Sequence, residues 1–118
     1  MNEIIYIEKP WGYEKIWAHT DKYVGKILHI KPGCRLSKQY HKIKDESILV
    51  LEGVLHLYTN DHEFYSTLRE GESMRIKPGR IHRFAAGEES VDLIEVSTPE
   101  LDDVVRLEDD YNRVDSGA

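Results

Sequence analysis

Apolar residues in this chain fall in short alternating or continuous runs, never in a sustained 3.6-residue period with helix caps. Runs of this kind, separated by turn residues, predict strands over residues 23–30, 47–51, 54–59, 63–68, 73–76, 82–86 and 91–97. Lys31-Pro32-Gly33 ends the first and Lys77-Pro78-Gly79 follows the fifth. Residues 60–62 and 87–90 read as hairpin loops. The run 47–51 is apolar enough for a strand buried on both faces. Residues 101–111 predict a short helical turn, and 115–118 a frayed tail. The pattern is that of an all-β sandwich or barrel spanning residues 1–114.

Size and charge narrow this further. A chain of 118 residues makes one domain, able to bury roughly two-thirds of its unfolded surface without disulfides. Lys and Arg number 16 against 22 Asp and Glu, for a formal net charge of −6. Acid gathers toward the C-terminal end, which argues against nucleic acid as a partner because phosphate backbones need clustered cations. No apolar run approaches the roughly 20 residues that span a bilayer, so no membrane partner is expected. Cys34 is the only cysteine, and no secretory leader is visible, so a cytoplasmic location is expected.

Two clusters carry candidate chemistry. The first runs from Gly33 through Gln39, His41 and Glu46 to Gly53, and the second is Pro78-Gly79-Arg-Ile-His82. Gln39 and His41 are two apart, which puts both on one face of a strand. Glu46 follows after a turn-sized gap, and a neighbouring antiparallel strand would aim it at the same point. His82 opens a later strand and can supply a fourth donor. This mixed nitrogen and oxygen set suits a divalent metal: Zn first, with Mn, Co, Ni or Fe(II) also compatible. His19, His29, His56 and His62 lack such a pattern and read as surface or satisfied core residues.

The spacing Gly33-x5-Gln39-x-His41-x4-Glu46-x6-Gly53, followed by Gly79-x2-His82, resembles the two motifs of the cupin superfamily. There the first motif is G-x5-H-x-H-x(3,4)-E-x6-G, and Gln39 stands where its first histidine usually is. A closer resemblance covers most of the chain. Lys9-Pro-Trp-Gly-Tyr13-Glu14, Lys31-Pro-Gly-Cys-Arg-Leu-Ser-Lys-Gln39, Leu93-Ile-Glu-Val96 and Val105-Arg-Leu-Glu-Asp-Asp-Tyr111-Asn-Arg113 occur in order. They resemble the cupin module of type II mannose-6-phosphate isomerases, elsewhere often the C-terminal half of a bifunctional guanylyltransferase/isomerase. That family commonly has three histidines where this chain reads His41-Lys-Ile43.

The resemblance implies a single-domain cupin, a double-stranded β-helix or jelly-roll barrel. It also implies interconversion of mannose-6-phosphate and fructose-6-phosphate through an enediol. Such a reaction needs a cation to polarise the carbonyl, a base to shuttle the proton and a grip on the phosphate. Gln39, His41, Glu46 and His82 are the expected metal ligands. Lys26 and Glu95 are the base candidates, and Arg106 is expected at the substrate anion or the enediolate. Arg35, Tyr13 and Arg113 are the expected substrate contacts. A sugar-binding or regulatory cupin without turnover, and a cupin enzyme acting on another sugar, stand as alternatives. Cupins of this type usually pair, and the apolar edge candidate Ile4-Ile-Tyr-Ile7 fits a homodimer.

Overall fold

The computed structural model describes residues 3–59 and 65–113. Eleven strands run in chain order: β1 (Ile5–Lys9), β2 (Gly12–His19), β3 (Val24–Ile30), β4 (Lys38–Tyr40), β5 (Glu46–Glu52), β6 (Leu55–Thr59), β7 (Ser66–Leu68), β8 (Ser73–Ile76), β9 (His82–Ala86), β10 (Val91–Ser97) and β11 (Val105–Glu108). Among the described residues there is no helix, so none is long and apolar enough to cross a membrane. Six strands form one sheet in the order β1-β2-β3-β10-β5-β8, and five form the other in the order β11-β4-β9-β6-β7. All pairings are antiparallel.

Alternation places the core. Inward positions are Val24, Lys26, Leu28 and Ile30 on β3, Val91, Leu93, Glu95 and Ser97 on β10, and Glu46, Ile48 and Val50 on β5. The antiparallel register sets Leu28 opposite Leu93 and Ile30 opposite Val91, while Lys26 faces Glu95 and Ser97 faces Glu46. The barrel interior therefore has an apolar end and a polar end. Leu55, Leu57, Phe84 and Trp11 complete the apolar end, each at most 3% exposed. Fully burying side chains of this size stabilises the fold by about 1.5–3 kcal/mol apiece.

Several expectations need correction. Residues 101–111 do not form a helical turn, because 105–108 pair with β4 as an edge strand. Residues 87–90 do not close a hairpin, since β9 and β10 lie in different sheets. The run 47–51 is buried on one face only: Ile48 and Val50 point inward while Leu51 is 43% exposed. β4 and β5 are not neighbours either, so Glu46 meets the Gln39–His41 segment from the opposite sheet. The loop expected at 60–62 and the tail at 115–118 lie outside the described residues. The strands flanking that loop, β6 and β7, do pair antiparallel. The N-terminal segment forms β1 on the edge of the larger sheet, leaving Ile4, Ile5 and Tyr6 exposed.

Two glycines separate two kinds of backbone demand. Gly53 turns the chain from β5 to β6 at φ +89°, and a Cβ there would lie 2.4 Å from the Ser90 carbonyl oxygen. Gly71 has a similar φ of +82° with open space around it. Gly53→Ala is therefore expected to cost more stability than Gly71→Ala, which pays only the left-handed penalty of about 1 kcal/mol. Urea midpoints check this, and equal losses would contradict it. Leu57→Ala, a deletion at a fully buried site, is expected to cost about 2–5 kcal/mol by the same measurement.

Candidate metal centre and the adjoining cavity

At the polar end of the barrel, His41 follows β4, His82 opens β9 and Glu46 opens β5. Their exposures are 3%, 1% and 2%. Glu46 Oε1 lies 3.5 Å from His41 Nε2 and 3.3 Å from His82 Nε2. None of these three atoms has a hydrogen-bond partner. Both imidazoles are oriented from behind. His41 Nδ1–H donates to the Asp103 carbonyl at 2.6 Å, and His82 Nδ1–H to the Arg80 carbonyl at 2.9 Å. A carbonyl only accepts, so each ring carries a proton on Nδ1 and turns Nε2 inward, where it donates to Glu46 when protonated and offers a lone pair to an ion when not. Donors on a tetrahedral or octahedral ion sit about 3.0–3.4 Å apart, close to these spacings. The three side chains thus form a cluster that could hold a metal ion.

Gln39 lies beside this cluster, in register with His82 across the β4–β9 pair. Its amide oxygen accepts a hydrogen bond from Ser37 Oγ at 2.6 Å, and its side chain borders the adjoining cavity.

Glu46 anchors a line of buried charge. Burial works against its ionisation, but the two imidazoles and the Lys44 ammonium hold its carboxyl well below the usual range. Lys44 Nζ is 3.1 Å from Glu46 Oε2 and 3.2 Å from Glu95 Oε2. Burial alone would lower the Lys44 ammonium, and the two carboxylates outweigh it and raise it. Glu95 is pushed the other way from Glu46: burial, then the charge on Glu46, raises its carboxyl. Further along, Lys26 faces Glu95 across β3 and β10, and its Nζ lies 3.4 Å from Glu14 Oε1.

A cavity of about 110 Å³ adjoins the cluster through His41. Its cations are Lys9, Lys26, Lys44, Arg106 and Arg113, against the carboxylates of Glu14 and Glu95. Trp11, Leu28, Leu36 and Phe84 supply its apolar wall. Low polarity on one side strengthens the field of the charges on the other. Burial lowers the Lys9 ammonium.

The fold brings Lys26, Glu95, Arg106 and Arg113 to one cavity with Gln39 and His41. It does not bring Arg35 or Tyr13 there. Arg35 precedes the inward Leu36, so it points outward, where Asp110 grips its guanidinium at 2.8 and 2.9 Å. Tyr13 faces outward between the inward Gly12 and Glu14, and stacks on His29 with centroids 4.9 Å apart. Arg113 reaches the cavity while bonded to Asp109 at 2.8 Å. Lys42 and Ile43, which occupy the places of the family's further histidines, are both exposed. Ile43, at 66% exposure, walls nothing.

Sequence reasoning missed Lys44, Glu14 and Asp103. Parity was the available signal for the first two, since Lys44 is two before Glu46 and Glu14 is two before the inward Ile16. Nothing in the sequence marks Asp103. Its carboxylate accepts from the backbone N–H groups of Lys42, Ile43 and Lys44 at 3.0, 2.7 and 2.8 Å. Partial burial opposes its charge, and these three donors still hold its carboxyl below the usual range.

Known proteins share this arrangement of sequence and fold. The chain is 39% identical over 113 residues to the mannose-1-phosphate guanylyltransferase ManC of Salmonella typhimurium, covering 92% of this chain and 23% of that protein. It is 32% identical over 111 residues to the alginate biosynthesis protein AlgA of Pseudomonas aeruginosa, covering 91% and 23%. The chain thus spans about a quarter of the length of these relatives. Among solved structures, a cupin-superfamily sugar phosphate isomerase from Silicibacter pomeroyi matches with a TM-score of 0.63 at 18% identity, over 72% of this chain and 59% of that one. At that identity the likeness is one of fold, the cupin barrel. The family model described as mannose-6-phosphate isomerase C-terminal matches residues 2–109, and the chain belongs to that family.

Proposed function

We propose that this chain is a metal-dependent sugar-phosphate isomerase that interconverts mannose-6-phosphate and fructose-6-phosphate. One observation carries the reading: a His–Glu–His cluster with both Nε2 atoms turned inward opens onto a cavity with five cationic side chains against two carboxylates. A phosphorylated sugar matches that set of cations, of which Lys44 is shared with Glu46 and Arg113 with Asp109. Family membership and the isomerase fold neighbour support the same reaction class.

His41, Glu46 and His82 would hold the ion, with Gln39 a fourth donor. A divalent ion there, Zn or another of the late first-row metals, supplies polarisation of the sugar carbonyl and charge stabilisation of the enediolate. The protein's own residues do the rest. Arg106 and Arg113 bind the phosphate from the segment that follows β10, since Arg35 is engaged outside the cavity. Glu95 takes the proton from one carbon and returns it to the next. Burial and the Glu46 charge raise its carboxyl, the direction that makes a carboxylate a better proton acceptor. Lys44, 3.2 Å from Glu95 Oε2, and the Lys26 charge across the strand pair favour its ionised form. The exposed places of Lys42 and Ile43 support retained function, since changing histidines there leaves the cavity wall untouched.

The exposed apolar β1 edge supports a homodimer. The lone cysteine and a phosphorylated substrate support a cytoplasmic setting, in the supply of precursors for polysaccharide synthesis.

The purified chain is expected to bind close to one divalent ion, and His82→Ala to lose it while keeping its unfolding free energy within about 2 kcal/mol of the parent. Elemental analysis beside a urea titration checks both. Fructose-6-phosphate formation, followed by a coupled assay, should stop with chelator and return with added metal. Glu95→Gln should lower kcat by roughly 10²–10⁴-fold with metal content unchanged, and Arg106→Ala should act mainly on KM. Full metal occupancy with no turnover on mannose-6-phosphate would favour a sugar-binding role instead.

A further inference from the structure

The segment from residue 101 to 113 does two things at once. Leu101, Val104, Arg106 and Arg113 border the cavity. Between them, Asp103 holds the other side of the metal cluster. Its carbonyl takes the His41 Nδ1–H at 2.6 Å, and its carboxylate caps three successive N–H groups at 42–44, in the loop that joins His41 to Glu46. That loop is also tied to the end of β10, by Asp45 N–H to Thr98 Oγ1 and Thr98 N–H to the Asp45 carbonyl, each at 3.0 Å. The segment is held along one edge, where Lys38 and Arg83 also engage Glu108 and Asp110 outside the barrel. β11 pairs only with β4, through three residue pairs broken by a register shift, and its far end is fastened outside the barrel by the Arg35–Asp110 pair.

We infer that Asp103 is a positioning residue that couples ion binding at His41, Glu46 and His82 to the ordering of the arginine-bearing segment 104–113. This rests on the metal reading above. The physical link is the His41 ring. An ion drawing electron density from Nε2 makes Nδ1–H a stronger donor, so the bond to the Asp103 carbonyl tightens as the site fills. Coupling of this kind is reciprocal: a better-held segment presents a better-oriented His41, and raises ion affinity by the same factor.

Hydrogen–deuterium exchange of the 118-residue chain, with and without Co(II), reads the coupling directly. Loading is expected to slow amide exchange severalfold at residues 104–108. Unchanged exchange there in the loaded parent overturns the inference, with no variant needed. Asp103→Ala keeps the carbonyl but removes the carboxylate that caps the N–H groups of residues 42–44, so it is expected to weaken Co(II) binding severalfold by loosening the loop between His41 and Glu46. Arg35→Ala, which touches neither the cluster nor the loop, should weaken Co(II) binding severalfold in the parent and have no further effect in the Asp103→Ala background. Additive effects of the two substitutions would mean that each merely loosens the fold, and would overturn the coupling. If the parent takes up no Co(II), the metal reading falls and this inference with it. If the parent binds and Asp103→Ala binds equally well, only the inference falls.

Discussion

Glu46 is a carboxylate that stays charged with 2% exposure, and the polar end of the barrel is arranged around that fact. Taking a lone carboxylate out of water costs several kcal/mol even after the protein relaxes. Two imidazoles and the Lys44 ammonium offset that cost here. Lys44 then needs a second anion, and Glu95 supplies it, which in turn draws Lys26 and Glu14 into the same row. Removing Lys44 would leave Glu46 and Glu95 without their shared cation in the barrel interior. The row is therefore a single electrostatic unit, and it lies along the cavity floor.

Under the proposed function, the same unit would divide chemical labour. Glu46 and Glu95 are both buried carboxylates on neighbouring strands, yet their carboxyls are displaced in opposite directions. Glu46 has three nitrogen groups close by, whereas Glu95 shares one lysine with it and feels its charge. Paired groups pushed apart in this way suit one fixed ligand and one exchangeable proton carrier. Around them, the larger sheet supplies the charged row, the smaller sheet supplies the histidines, and the segment after β10 brings the arginines. Outward-facing pairs such as Arg35 with Asp110 hold that segment in place without entering the cavity.

Much of this was legible beforehand. Alternation located seven strands to within a few residues, and the spacing of His41, Glu46 and His82 marked the cluster. The errors have common causes. Residues 101–111 are acidic and short of a clear alternation, so local propensity had nothing to say against a turn, and only pairing with β4 made them a strand. The run 47–51 is continuous in apolar character, yet a one-sided sheet buries only every second residue of it. Arg35 carries the right chemistry for a phosphate, but the parity of Leu36 turns it outward.

Residue types and their two-residue alternation determined that this chain would form a β-barrel with imidazole and carboxylate donors near its turns, because inward and outward faces follow directly from the pleat. Which donors meet was decided only by tertiary structure. His41 and Glu46 belong to opposite sheets, and closure of the barrel sets them 3.5 Å apart. Asp103 reaches the His41–Glu46 loop from the segment after β10, while Glu14 and Lys26 meet across neighbouring strands of one sheet. A buried charge, or a carbonyl that orients a histidine, has meaning only once distant strands have brought its partner within reach.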